Sequence, residues 1–490
     1  MRLYDTRTRR VVDVRPATPG LLRVWSCGPT VYRYAHVGNL RTFLLADLVR
    51  RVAELDRLRV HLVQNITDVG HLADDTAVEG HHDTAVEALA DRVQPGEDKV
   101  VAEAHRLGTT AERLARHYEE AFHRDLAALN IRPAQAHPRA SESVPLMIAL
   151  IDRLLATGAA YVGGDGSVFF DARRFPSYGA LSGNSLDRLR PGHRVEGVDP
   201  AKRSHADWVL WRRAGDRREM TWDSPWGRGF PGWHVECSAM LLHHLGPAVD
   251  VHVGGVDLRF PHHEDERAQT DTVVGREVVR LWLHGEHVLF EGRKMSKSAG
   301  NVVLLSDVSQ RGLDPLAVRL AFLGVRYRTQ TDLTWRTLVD ADAQLRRWRA
   351  RVAAWAESPS RPIAGSYADE AVSALREDLD TPAALRALRR LDQDASVPDG
   401  AKFETAAYLD RVLALDLVRD VGRAPPAAPA LPPGAEDLLV RRAAARAERD
   451  WAAADRLRDE LAARGVAVRD TPSGQEWSPL ADRLPPGSSS

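Results

Sequence analysis

Residues 21–65 constrain the fold most. LLRVWSC (21–27) reads as a short strand and Gly28-Pro29 as a turn. From about 36 to 55 the apolar positions Leu40, Phe43, Leu44, Leu48, Val49 and Val52 recur near a 3.6-residue period, which predicts a long helix. Val60-His61-Leu62-Val63-Gln64-Asn65 reads as the next strand. Strand, helix, strand in this order is a βαβ unit, so the two strands are parallel and the crossover right-handed. The chain is therefore read as α/β.

Sheet-like pieces return at 249–254 (VDVHVG) and 287–290 (HVLF). Between them and the first unit, residues 106–130 and 141–157 read as helices, and 158–230 alternate short strand-like pieces with Gly/Pro turns. That block is expected to be an insertion between two halves of one sheet domain. Residues 73–105 are acidic and polar and are read as a surface excursion. From 303 to 420 the pattern is nearly all helical, with an N-cap signal at Asp380-Thr381-Pro382. RAPPAAPALPPG (423–434) is a linker. A small module follows: a helix at 436–448, then Asp450 as N-cap of a second helix from Trp451 to about Arg464. Gly465 is its C-terminal cap and Val466-Ala467-Val468 a short strand. The closing PPGSSS reads as frayed.

Composition excludes several classes. Lys+Arg number 67 and Asp+Glu 68, so no global positive field favours indiscriminate coating of DNA. Cys27 and Cys237 are the only cysteines, which excludes a disulfide-dense scaffold. Three readings of the pair stay open: a long-range disulfide, two inert core thiols, or two ligands of one metal. MRLYDTRTRR has no apolar core of a signal peptide, and no run of 18 apolar residues exists. A soluble cytoplasmic protein with no membrane association is expected.

Three constellations carry chemistry. In Cys27-Gly-Pro-Thr-Val-Tyr-Arg-Tyr-Ala-His36-Val-Gly38-Asn39 a strand hands over to a helix, whose N-terminus suits phosphate. The bland alternative is a histidine that merely caps the helix. Lys294-Met295-Ser296-Lys297-Ser298 places two lysines and two hydroxyls in a loop, a cationic lid suited to moving phosphate charge. Pro261-His262-His263-Glu264-Asp265-Glu266 puts His262 and Glu266 four residues apart on one helix face. With Cys27 and Cys237 these would form a zinc-type donor set, against the alternative of an acid-decorated helix end. His71 and His81-His82-Asp83 also cluster, but are read as solvated surface.

The chain resembles a known family. Residues 27–39 look like the "HIGH" signature of class I aminoacyl-tRNA synthetases, and 294–298 are the KMSKS signature letter for letter. CGPTVY (27–32), QNITD (64–68), DWVLW (207–211), SPWGRGFPGWHVECSAM (224–240) and FPHHEDE (260–266) resemble the cysteinyl-tRNA synthetase family from about residue 2 to 477.

The resemblance implies a class I Rossmann-like parallel-sheet catalytic domain with an inserted connective subdomain, a C-terminal helical bundle and a small α/β anticodon-binding module. The expected divisions are 1–130 and 216–302 for the two catalytic halves and 131–215 for the insertion. The helical stem-contact and bundle region is 303–422, the linker 423–434, the anticodon module 435–480 and the tail 481–490. It implies one Zn2+ per subunit held by Cys27, Cys237, His262 and Glu266, which binds the substrate thiol. Thr67 and Trp233 would line the cysteine pocket. Thr30, His36, Gly38, Asn39 and Lys297 would bind ATP with its Mg2+; His36, Asn39, Lys294 and Lys297 would be catalytic. Arg446, Asp455 and Asp470 would read the anticodon of tRNA-Cys, and Trp477 belongs to the same module. The expected partners are ATP, L-cysteine and tRNA-Cys, for a monomer with no DNA partner.

The chain departs from that pattern in two places, of which one is the 73–105 excursion, which makes the Cys27-to-Cys237 interval longer than in compact members. Many family members continue the NxTD word as DDK, whereas here Thr67-Asp68 is followed by Val69-Gly70-His71-Leu72, with no lysine. Two rival readings remain: a cysteine ligase paralogue with a small aminosugar acceptor, as in mycothiol assembly, and a non-catalytic tRNA-binding relative.

Overall fold

The computed structural model describes residues 1–70, 98–188, 200–215, 217, 219–295, 301–423, 431–471 and 474–479. The chain divides into two compact units, Met1–Val421 and Gly422–Ser490.

The first unit is built on a four-stranded parallel sheet in the order Trp282–Gly285, Val251–Gly255, Leu21–Ser26, Arg59–Gln64. The βαβ expectation holds: the Val37–Leu55 helix joins the two strands that were read as parallel, and Ser26 pairs with Gln64 on one side and Val253 on the other. Val251–Gly255 and Trp282–Gly285 are buried along their whole length, as strands covered on both faces are. Strand order reverses between Leu21–Ser26 and Val251–Gly255. In open α/β sheets the crevice outside the carboxyl ends at such a switch point is where ligands bind, and Cys27 is the first residue beyond the Leu21–Ser26 strand.

The block between the two halves forms its own antiparallel sheet: Ala160–Val162, Val168–Phe170, Trp208–Arg213 and Gly229–Pro231. Its last strand leads directly into the Trp233–Leu245 helix.

Two expectations are corrected. HVLF does not join the parallel sheet. Val288–Phe290 belongs to a three-stranded sheet with Arg293–Lys294 and Thr331–Leu333, and the fourth parallel strand is the preceding run, Trp282–Gly285. Two short apolar runs so close together give no periodicity by which to choose between them. The excursion does not extend to 105 either. Lys99–Arg106 is a helix, capped by Asp98, with Val100, Val101 and Ala104 buried in the same core as the Val37–Leu55 helix. His71, His81, His82 and Asp83 lie outside the described residues.

Beyond residue 303 the first unit is helical, with Leu316–Leu323, Trp335–Trp355, Gly365–Arg376, Thr381–Gln393 and Asp399–Leu413 as its longer elements. The buried guanidinium of Arg319 ties these helices to the sheet domain. It reaches Asp47 at 2.9 Å and the carbonyls of Leu129 at 2.9 Å and Leu413 at 2.6 Å.

The second unit packs helices Ala435–Ala447 and Trp451–Ala463 on a hairpin of Val466–Thr471 and Gly474–Pro479. Asp450 caps the second helix by accepting from Ala453 N at 3.0 Å, and Gly465 follows that helix at φ 77°.

Candidate active site

Four side chains from three segments converge at the switch point. Cys27 is held by its N–H, which donates to Val253 O at 3.2 Å. Cys237 lies on the Trp233–Leu245 helix, and His262 and Glu266 share one face of the His262–Val274 helix. One ligand atom from each of the four lies within 4.8 Å of the others, and all four residues are buried. The cysteines are free thiols, so the disulfide reading falls.

Electrostatics match an ion site. Burial pushes the Cys27 thiol up to about 11. Burial alone would raise Glu266, but the imidazoles of His252 and His262 hold its carboxyl down at about 2. Burial would likewise lower His262, yet Glu266 and Cys237 raise it to about 10. The cluster therefore holds an anionic carboxylate that demands a cation: a proton on His262, or a metal that takes the place of the thiol and imidazole protons. Two sulfurs, one imidazole and one carboxylate fit a borderline-soft divalent ion. Cys27, His252, His263 and Glu266 form a second group of the same size, which shares two members but offers only one thiol.

A ring of histidines surrounds this cluster. His262 Nε2 faces Glu266 at 3.0 Å, and its Nδ1 lies 2.9 Å from His234 Nδ1. His234 Nε2 in turn lies 3.4 Å from Asp265. His252 Nε2 holds the other Glu266 oxygen at 3.0 Å. His263 lies 3.3 Å from Cys27 Sγ and 2.8 Å from His284. Burial drives His234 and His263 well below the ordinary histidine range and His284 down to about 3, so these rings are neutral. Such partners orient ligands. Sequence reasoning gave a role to none of the four, though two of them, His234 and His263, stand inside the words that gave the ligands.

The segments beside this cluster are held by backbone pairing. Val31 N donates to Thr67 O and Thr67 N to Pro29 O, both at 3.0 Å, which brings Thr30 beside Thr67. Asn65 accepts from Gly28 N at 2.9 Å and donates to Thr67 Oγ1 at 3.1 Å. A Cβ at position 28 would stand 1.6 Å from Asn65 O, so only glycine fits there. Trp233 lies over His262, with ring centres 4.3 Å apart.

The two signature segments also meet. His36 is the N-cap of the Val37–Leu55 helix: its Nδ1 accepts from Asn39 N at 3.2 Å, and Asn39 Oδ1 accepts from His36 N at 3.1 Å. The bland reading of His36 as a cap is thus correct, and it is compatible with a phosphate role because capping uses only Nδ1. Val37 N donates to Val303 O at 2.9 Å, and Asn301 Nδ2 donates to Lys294 O at 2.9 Å. The ends of the lysine-bearing loop are thereby tied to each other and to the first signature. Ser296, Lys297 and Ser298 lie outside the described residues.

Comparison with known proteins agrees with this geometry. Residues 13–343 match the family described as the tRNA synthetases class I (C) catalytic domain. The chain is 37% identical to the cysteine--tRNA ligase of Treponema pallidum strain Nichols, over 97% of this chain and 99% of that protein. It is 38% identical to that of Thermus thermophilus, over 97% and 98%. The chain belongs to the cysteinyl-tRNA synthetase family. Its class I fold is shared with Mycobacterium tuberculosis methionyl-tRNA synthetase bound by methionyl-adenylate (TM-score 0.52, 17% identity, 90% of this chain and 96% of that one). It is shared too with Agrobacterium radiobacter LeuRS in its ternary complex (TM-score 0.57, 12% identity, 82% and 84%).

In the cysteinyl-tRNA synthetase family the NxTD word often leads to a lysine. Gly70 N donates to Asp98 Oδ2 at 2.7 Å, so the ends of the intervening segment meet. The residue that follows Asp98, Lys99, is a buried lysine close in space to the end of that word.

Residues 428–477 match the cysteinyl-tRNA ligase anticodon binding domain. Asp470 gathers three arginines there: Arg442 at 2.9 Å, Arg446 at 3.1 Å and Arg458 at 3.3 Å, and Arg458 also reaches Asp455 at 3.4 Å. The predicted Arg446, Asp455 and Asp470 thus share one ionic network. Trp477 packs against the core of this unit. Trp451 is 55% exposed and lies 5.4 Å from the Arg446 guanidinium.

Proposed function

We propose that this enzyme ligates L-cysteine to tRNA-Cys through a cysteinyl-adenylate, as a cytoplasmic monomer. The observation that carries this reading is the convergence of both cysteines with His262 and Glu266, under Trp233 and beside the first signature. In the first step the cysteine carboxylate attacks the α-phosphorus of ATP. The new bond is carboxyl oxygen to phosphorus, and pyrophosphate leaves with Mg2+. Thr30, His36, Gly38 and Asn39 hold the nucleotide at the helix N-terminus, whose dipole favours phosphate. Lys294 and Lys297 stabilise charge as it develops on the departing phosphates. In the second step a hydroxyl of the terminal adenosine of the tRNA attacks the acyl carbonyl, and AMP departs with the pair of electrons of the cleaved bond. Positioning and electrostatics suffice, with no covalent enzyme intermediate.

Cys27, Cys237, His262 and Glu266 would hold Zn2+, which when bound takes the substrate sulfur as thiolate and so rejects serine. A pocket shaped only for size separates near-isosteres by roughly 10²-fold, so ligand softness is the stronger criterion. Thr67 and Trp233 close the pocket around the amino acid. Arg446, Asp455, Asp470 and the exposed Trp451 would read unstacked anticodon bases by edge bonding and stacking.

Cysteine-dependent ATP–pyrophosphate exchange, followed by transfer to tRNA-Cys and to aminosugar acceptors, tests the reading. Exchange together with tRNA charging is expected. Exchange with transfer only to an aminosugar would overturn it in favour of a small-acceptor ligase, and absence of exchange in favour of a binding protein.

A further inference from the structure

The helix His262–Val274, which carries two of the four donors, is gripped from behind by the inserted block. Helical periodicity puts His262 and Glu266 on one side, Glu264 and Arg267 on the opposite side, and Asp265 on the flank. The opposite side meets FPSYGALS, residues 175–182, which follow the Val168–Phe170 strand of the insertion.

Glu264 is fully buried and uses both oxygens. Oε2 accepts from Leu181 N at 3.1 Å and Ser182 N at 2.8 Å, and Oε1 accepts from Arg267 at 3.0 Å. The same guanidinium donates to Ser177 O at 2.9 Å and Ser177 Oγ at 2.7 Å, and lies 4.9 Å from the centre of the Phe175 ring. Tyr178 reaches the flank. Its hydroxyl donates to Asp265 Oδ1, while Asp265 Oδ2 faces His234 Nε2 at 3.4 Å, and His234 Nδ1 lies 2.9 Å from His262 Nδ1. The Tyr178 ring stacks on Trp208, which stacks on Phe170, with ring centres 5.6 and 4.4 Å apart. A continuous line of contacts thus runs from the strands of the insertion to a donor imidazole.

Two carboxylates and an arginine, none more than 5% exposed, are an expensive way to hold a helix, because all three must be desolvated. Apolar side chains of similar volume would hold it as firmly. Directional hydrogen bonds add a fixed rotation of the helix about its own axis and a fixed height along it. Metal donors need both, since their distances are set to within roughly 0.2 Å.

We propose that the 175–182 segment positions the donor helix through Tyr178 and Glu264, so that the insertion sets how tightly the site holds its metal and how well it takes a thiol in preference to a hydroxyl. Neither residue is a donor, and both are positioning residues that act through others. The inference rests on the reading of Cys27, Cys237, His262 and Glu266 as metal donors.

The test uses the full chain. Tyr178→Phe keeps the stacked ring and removes only the hydroxyl, and Glu264→Gln removes the charge on the opposite side of the helix. Tyr161→Phe is the control: it deletes a buried hydroxyl whose partner, Asp207 at 2.7 Å, lies within the insertion. Competition with a chromophoric zinc chelator reads metal affinity without catalysis, and cysteine-dependent ATP–pyrophosphate exchange gives KM for cysteine and for ATP separately. Tyr178→Phe and Glu264→Gln should each hold zinc roughly 10- to 100-fold more weakly. Each should raise KM for cysteine, with KM for ATP unchanged, and excess zinc should recover part of the loss. Tyr161→Phe should match the wild type in zinc affinity and in both KM values. If Glu264→Gln fails to fold, Tyr178→Phe decides the matter alone. A lower thermal midpoint with zinc affinity and cysteine KM at wild-type values would overturn the proposal and reduce the segment to ordinary packing. An equal loss of zinc in Tyr161→Phe would overturn it too. A wild type that takes up no zinc would overturn the metal reading and the proposal with it, whereas zinc uptake shared equally by wild type and variants would overturn the proposal alone.

Discussion

A β-carbon at position 38 would stand 2.7 Å from Met295 Cε, so the glycine of the first signature is the seat of the methionine of the second. Met295 is 3% exposed, and on the other side the His36 ring lies 3.1 Å from the same point. Methionine can yield at its end, so Gly38→Ala should fold. The displaced methionine would shift the lysines on either side of it, and a 1 Å misplacement near the chemistry can cost roughly 10²-fold. Exchange kcat should fall about 10- to 100-fold in Gly38→Ala, with cysteine and metal binding unaltered. Equal exchange rates in variant and wild type would show that this contact does not position the loop.

The donor cluster predicts that metal and amino acid are lost together. Cys237→Ser removes one of the two thiols. Metal content by mass spectrometry and cysteine affinity by calorimetry should both drop, the latter at least about tenfold, and a chelator should do the same to the wild type. Full cysteine affinity in a metal-free Cys237→Ser protein would refute the thiolate account. His234→Ala should lower metal affinity by roughly 10- to 100-fold, because it removes the partner of His262 Nδ1 while leaving all four donors in place.

What the sequence made legible follows from periodicity and from contiguity. The helix at 37–55 and its flanking strands were readable because one apolar stripe runs between two short buried runs. The four donors were readable because each sits in a long distinctive word. The nearness of Lys99 to the Thr67-Asp68 word was not, because 28 positions separate Gly70 from Asp98 and only the hydrogen bond between them shows that the two points meet. The parallel strand Trp282–Gly285 was hidden for a different reason: a four-residue run has no measurable period. His252 and His284 were hidden because they stand on strands outside the words that gave the ligands, and reach Glu266 and His263 only in the fold.

Asp47 and Arg319 form a buried pair at 2.9 Å between the sheet domain and the helical region. Burial alone would raise the Asp47 carboxyl, but Arg319 and Arg51 outweigh it and hold it below its usual range. A depressed carboxylate contributes stability at any pH above its unfolded-state value, near 3.9, and loses it as pH falls toward the folded value. Asp47→Asn leaves the Arg319 guanidinium buried without its counter-charge, which costs about 3–5 kcal/mol. Chemical denaturation should show that gap from wild type undiminished above about pH 5 and narrowing as pH falls through 4. A gap independent of pH would mean that packing, not charge, is what Asp47 supplies.

Trp451 is an exposed aromatic side chain of the second unit. Its ring stands at the start of the Trp451–Ala463 helix, and the Arg446 guanidinium lies 5.4 Å away. An indole more than half exposed on a helix with its own buried apolar face contributes little to folding, since Ala454, Leu457 and Leu461 carry that role. Stacking of one base on an aromatic ring is worth about 1–3 kcal/mol, or roughly 5- to 150-fold. Trp451→Ala should therefore lower kcat/KM for tRNA-Cys within that range, leave cysteine-dependent exchange at the wild-type rate, and leave the thermal midpoint unchanged. Trp451→Phe should restore most of the charging rate, because the ring face and not the indole N–H is what a base would meet. A loss of charging that Trp451→Phe does not recover would assign Trp451 to packing of Arg446 instead of to a base.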